Sequence, residues 1–105
     1  MSVTVSFVTC ASKEQAERIA RALVEEKLAA CVNIVPSVTS VYVWEGRLTV
    51  EPETLLIIKS TADRSERLVR RVRELHSYAV PEVVTLAVAS GNPDYLRWVE
   101  QSGTP

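Results

Sequence analysis

Three side chains carry most of the metal or nucleophilic chemistry open to this chain: the thiols of Cys10 and Cys31, and its single imidazole, His76. Thiolate plus imidazole is the donor set that suits copper in either oxidation state, or zinc. No Cys-x-x-Cys or His-x-x-x-His spacing occurs, so a closed structural zinc site is not expected. Which donors can share an ion therefore depends on what the fold brings together. His76 opens the segment His76-Ser77-Tyr78-Ala79-Val80-Pro81-Glu82, and Glu82 adds a carboxylate six residues on. Tyr42, Trp44 and Tyr78 could stack on a ligand, although tyrosine and tryptophan are equally favoured in protein interfaces. Only three glycines are present and none are close together, so no phosphate-cradling loop is expected. No Ser/His/acid trio is recognisable. The expectation is a binding protein, not an enzyme.

The elements that must position these groups follow from periodicity. Val3 to Cys10 alternates at period two and reads as a strand, with Val3, Val5 and Phe7 on one face. Ser12 followed by Gln15 has the capping-box spacing. Ala16, Ile19, Ala20, Leu23 and Val24 then form one apolar helical stripe. Ala29 to Val35 is apolar and β-prone, Pro36 interrupts it, and Ser37 to Trp44 resumes as a strand. Leu48 to Ser60 returns past Pro52, with Glu45-Gly46-Arg47 as the turn. Prolines within strands sit at edges or bulges, so this region reads as one long, bent hairpin. Asp63 with Glu66 is the expected cap of a second helix. Its buried stripe is Leu68, Val69, Val72 and Leu75, with Arg64, Arg67, Arg70, Arg71 and Arg73 mostly outside. Glu82 to Ser90 reads as the last strand. Asn92-Pro93 starts a terminal helix carrying Tyr95, Leu96, Trp98 and Val99, and Ser102-Gly103-Thr104-Pro105 ends it.

Strand, helix, strand, strand, helix, strand, plus a terminal helix is a ferredoxin-like α+β pattern. Right-handed crossovers then give the antiparallel strand order 4-1-3-2 with helices on one face. In that topology Cys10 and His76 lie at one end of the sheet on neighbouring strands, with Glu82 and the hairpin residue Glu45 as candidate carboxylates. Cys31 lies at the other end, as a small buried hydrophobe. The candidate metal ligands are therefore His76, Cys10 and Glu82. Both sheet faces are apolar: Leu55 and Ile57 oppose Leu56 and Ile58, and Val84 opposes Val83. A half-exposed antiparallel sheet should carry polar residues on its open face. The run from Cys31 to Trp44 would also extend about 45 Å at ~3.3 Å per residue, more than the rest of the sheet can pair. A second subunit is the expected cover for both.

The 105 residues form one domain, 1–105. A formal net charge of −1 gives no general attraction to nucleic acid or an anionic membrane, and no apolar run approaches bilayer length. Met1-Ser2 leads straight into a strand pattern, so a cytoplasmic protein with reduced cysteines is expected. Nine Arg against three Lys, with two Asn and two Gln, point to a heat-adapted, thermostable chain.

Three stretches together resemble the CutA family of divalent-cation-tolerance proteins: Lys27-Leu28-Ala29-Ala30-Cys31-Val32-Asn33-Ile34, Tyr42-Val43-Trp44-Glu45-Gly46, and the His76 to Glu82 segment. Asp94-Tyr95-Leu96-Arg97-Trp98 fits as well. The resemblance covers nearly the whole chain in order. It implies a small cytoplasmic homotrimer of ferredoxin-like subunits, built like the PII signalling proteins, linked to copper and other divalent metal ions and without an established catalytic reaction. The chain departs from the family pattern at Ser77 and Ala79, where a proline and an acid are usual. It also departs at Val8, the position of the late-strand cysteine in copper-linked members; here Cys10 lies two residues on. Two readings result. One is a metal-responsive trimer binding copper or another divalent ion at a Cys/His/acid cluster. The other is a PII-like signalling or scaffold module binding a small molecule or protein in clefts between subunits.

Overall fold

The computed structural model describes residues 2–103. The expectations placed on Met1, Thr104 and Pro105 lie outside the described residues. The elements are β1 (Val3–Cys10), α1 (Lys13–Glu25), β2 (Cys31–Trp44), β3 (Arg47–Thr61), a 3-10 turn (Ala62–Arg64), α2 (Ser65–Leu75), β4 (Val83–Ala87) and α3 (Pro93–Gln101). The four strands form one antiparallel sheet in the order β2-β3-β1-β4, the expected ferredoxin-like arrangement.

Helix α1 starts where Ser12, in extended conformation, accepts a hydrogen bond from Gln15 N at 3.2 Å. Only half of the capping box forms, since the buried Gln15 Oε1 has no partner. Ala16, Ile19, Ala20 and Leu23 are buried as the stripe requires, whereas Val24 is exposed. Together with Val8, Cys10, Leu56, Ile58, Leu68 and Val72 they make the core between sheet and helices. Arg71 clamps Glu26 through Nε and Nη2 at 2.9 and 3.0 Å, pinning α2 to the end of α1.

The long hairpin is continuous and bent. Its ladder slips between Val35 and Val38, so Pro36 and Ser37 form the bulge, and Thr39 pairs with Pro52 across it. A proline has no N–H to give the ladder, so the bend falls where both prolines are. The turn Glu45-Gly46 has φ of 50° and 77°, the left-handed pair that a two-residue hairpin turn needs.

Other expectations need correction. The last strand runs from Val83 to Ala87, not from Glu82 to Ser90: Val88 N still reaches Val3 O, the first residue of β1, and the ladder stops there. Asp63 does not cap α2. It lies inside the 3-10 turn, and its carboxylate is held below its usual range chiefly by a hydrogen bond with Thr61. Arg64 is not outside; it is buried.

Alternation assigns the sheet faces. Val8 and Cys10, Leu56 and Ile58, and Val32 and Ile34 face the helices. Val5 and Phe7, Leu55 and Ile57, and Val84 and Leu86 therefore face the other way, and Val84 and Leu86 are about half exposed, at 48% and 52%. The more apolar side of β1 is thus the open one. Its helix side also holds Thr4 and Ser6, with Ser6 Oγ bonded to Thr85 Oγ1 at 2.7 Å. Helix α3 packs against β3 and β1, and its Tyr95 reaches Cys31 on the open face. The helices are therefore not confined to one side: α3 covers the end of the open face where Cys31 lies. The outer hairpin is the other uncovered apolar surface, with Trp44 at 65% and Leu48 at 72% exposure.

Candidate functional site

The end of the sheet where β1 finishes and α2 delivers its C-terminus gathers most of the candidate donors. Helix α2 stops at Leu75. His76 then turns extended (φ −83°, ψ 143°), while its N–H still bonds to Val72 O at 2.9 Å. This turns the imidazole onto the end of β1, where Nε2 donates to Thr9 O at 2.7 Å. Nδ1 accepts from Tyr78 N at 3.1 Å. Because one neighbour is a carbonyl and the other an N–H, the ring is the neutral Nε2–H tautomer. The Tyr78 ring lies over it with centroids 4.6 Å apart, and the Tyr78 hydroxyl donates to Glu53 Oε2 at 2.8 Å.

Glu53 is the carboxylate of this site, and the sequence reading did not single it out. It is buried, and it precedes Thr54, the cross-strand partner of Cys10. A signal for it existed in the β1–β3 register, which puts the Pro52-Glu53-Thr54 corner beside Cys10. Cys10 is fully buried. Burial first, and the nearby Glu53 charge second, push its thiol up to about 11, so it is held protonated at neutral pH. The Tyr78 phenol is pushed well above its usual range, first by burial and then by its bond to Glu53. Tyr42 donates to Glu51 on the neighbouring stretch of the hairpin. An open cleft of about 290 Å³ adjoins the site, lined by Ser12, Lys13, Glu14, Pro36, Glu53 and Thr54 among others.

Thr9, bonded to His76, immediately precedes Cys10, so both donors belong to one end of the sheet as the topology required. Glu82 lies one residue before β4. Since Val83 pairs with Val8, Glu82 continues the register to the level of Thr9, where it is exposed. Glu45 is not part of this end. It sits at the hairpin tip beyond the Trp44–Arg47 pair, seven residues along β3 from Thr54, or roughly 23 Å. Cys31 pairs with Lys59 at the level of Val5, two strands from β1 and on the opposite face from Cys10. Both cysteines are free thiols; Cys10 is buried, whereas Cys31, expected to be buried, is only partly so because it lies on the edge strand and on the open face.

Thiol and imidazole suit copper or zinc by chemical type, but as folded their donor positions are engaged. Both ring nitrogens of His76 are bonded to the protein, and the Cys10 thiol keeps its proton. Among the described residues no group of three or more His, Cys, Asp or Glu side chains is arranged to hold a metal ion. No helix among them is long and apolar enough to cross a membrane.

An α+β domain with this strand order and an overlong bent hairpin defines a structural class, and comparison with known proteins gives it a family. The model of the CutA1 divalent ion tolerance protein family matches residues 4–102. The divalent-cation tolerance protein CutA of Thermus thermophilus is 49% identical over 98 residues, covering 93% of this chain and 95% of that protein. Mouse protein CutA is 47% identical over 100 residues, covering 95% of this chain but only 56% of its own length. Among solved structures, CutA1 from Oryza sativa superposes with a TM-score of 0.95 at 44% identity, covering 97% of this chain and 94% of that one. The chain belongs to the CutA1 divalent ion tolerance family.

Proposed function

We propose that the protein acts in divalent-cation tolerance as a PII-like homotrimer of binding subunits, without a catalytic reaction of its own, and that copper or another divalent ion is what it binds. The assembly half rests on one observation: Val84, Leu86, Trp44 and Leu48 leave two broad apolar surfaces uncovered in the single chain. Monomeric proteins rarely expose contiguous apolar patches of this kind. The metal half rests on the names of the relatives and on the convergence of Cys10 and His76 at one end of the sheet. Cys10 and His76 would hold the ion, with Glu82 or Glu53 as the carboxylate. A bound ion would supply tight sequestration by soft donors. For its part, the chain has to release one hydrogen bond of His76 and the proton of Cys10.

The fully engaged His76 ring favours a second reading, in which the imidazole is an internal brace and the clefts between subunits take a small molecule or protein. A copper titration against a competing chelator separates the two. The metal reading predicts saturable binding, weakened at least ~10-fold by Cys10→Ser and by His76→Ala, since even outer-shell changes cost 10–100-fold in affinity. Binding no tighter in the wild type than in either variant would leave the second reading standing.

A further inference from the structure

Arg64 is a buried cation with no carboxylate within hydrogen-bonding distance of its guanidinium among the described residues. It donates through Nε to Thr61 Oγ1 at 2.8 Å and through Nη1 to Lys27 O at 3.0 Å. Nη2 donates to Val99 O at 3.0 Å and to Ser102 Oγ at 3.3 Å. Burial works against its charge, and the adjacent Asp63 works for it. A buried charge is costly unless it is paired or well bonded. Here the compensation comes from helix ends. Lys27 lies just past the end of α1, in a left-handed conformation (φ 61°), while Val99 and Ser102 belong to the last turn and cap of α3. Carbonyls at helix C-termini carry partial negative charge, and Val99 O at the end of α3 supplies one, joined by Lys27 O from the turn that follows α1. Gly103 lies flat against it: a Cβ there would come within 2.9 Å of the guanidinium carbon and Nη1.

The rest of α3 holds on weakly. Val99 is its one buried residue, while Tyr95 and Trp98 pack on each other at 5.7 Å and remain substantially exposed. What α3 covers is Cys31. Tyr95 lies against that thiol, on the face of the sheet away from the core. We propose that α3 is a strap latched by Arg64, and that this latch sets access to the Cys31 thiol. Elements with few buried apolar contacts open well below the global unfolding free energy. With the latch in place, opening is rare and Cys31 stays partly buried beneath Tyr95. Without it, α3 swings away while the core between the sheet and the other two helices stays closed.

Alkylation of the full chain by iodoacetamide, read peptide by peptide by mass spectrometry, tests this. Cys10, fully buried in the core, is the internal control for global opening. Arg64→Gln should raise the Cys31 labelling rate at least ~10-fold while the Cys10 rate stays at the wild-type value. Gly103→Ala, which pushes on the guanidinium without removing it, should act in the same direction and less strongly. It decides the matter should Arg64→Gln fail to fold. Unchanged Cys31 labelling, or Cys10 and Cys31 rising together, would overturn the proposal, since the first denies the latch and the second makes Arg64 a general stabiliser.

Discussion

Val84→Asp is expected to convert the protein from an assembly into separate subunits. In the single chain Val84 is about half exposed and sits opposite Phe7 on the open face. A charge there costs an isolated subunit little, within about 0.5 kcal/mol for an ordinary surface change. Buried against a second copy it has no partner, and a buried unpaired charge costs several kcal/mol. In the proposed trimer that penalty is carried three times, enough to favour separate subunits. The neighbouring residue is the control. Val83 faces the helices and packs on the core, so Val83→Asp should unfold the subunit at any concentration. The wild type should melt higher as concentration rises, because assembly stabilises the folded state by mass action. Val84→Asp should lose that dependence. An unchanged molecular mass and melting point for Val84→Asp would show that nothing covers the open face.

The second large effect is expected at His76, and in the absence of metal. His76→Ala removes the donor to Thr9 O and the acceptor for Tyr78 N, and unseats the Tyr78 ring. Two hydrogen bonds at about 1 kcal/mol each, plus the desolvation penalty of about 1–3 kcal/mol for a carbonyl left without a partner, come to roughly 3–5 kcal/mol. For a domain of this size that is a fall of at least ~10 °C in melting temperature, measured in excess chelator. If the variant melts with the wild type in chelator and differs only when copper is added, the ring is a ligand and not a brace.

The two residues at the centre of these arguments, Val84 and His76, were legible in the sequence for different reasons. The order of elements, the strand order and the two-faced apolar sheet follow from periodicity, which long strands display strongly. The bend was visible because Pro36 and Pro52 punctuate both arms of the hairpin. The end of the sheet shared by Cys10 and His76 follows from topology alone. What a helical wheel could not show is Arg64. It belongs to the 3-10 turn before α2, so the outward spacing of the other arginines does not apply to it. Glu53 was hidden because an acidic residue next to a proline in a hairpin reads as solvated. Only the register, Cys10 opposite Thr54, and the reach of Tyr78 reveal that it is buried. The path of α3 to the open face could not be read from its own stripe either, since Val99 is its only buried side chain.

Light scattering on the wild-type protein over a series of dilutions tests the central claim most directly. The account predicts a single species of three 11.6 kDa chains, about 35 kDa, that persists on dilution until folding itself is lost. A folded, stable species of 11.6 kDa would contradict it.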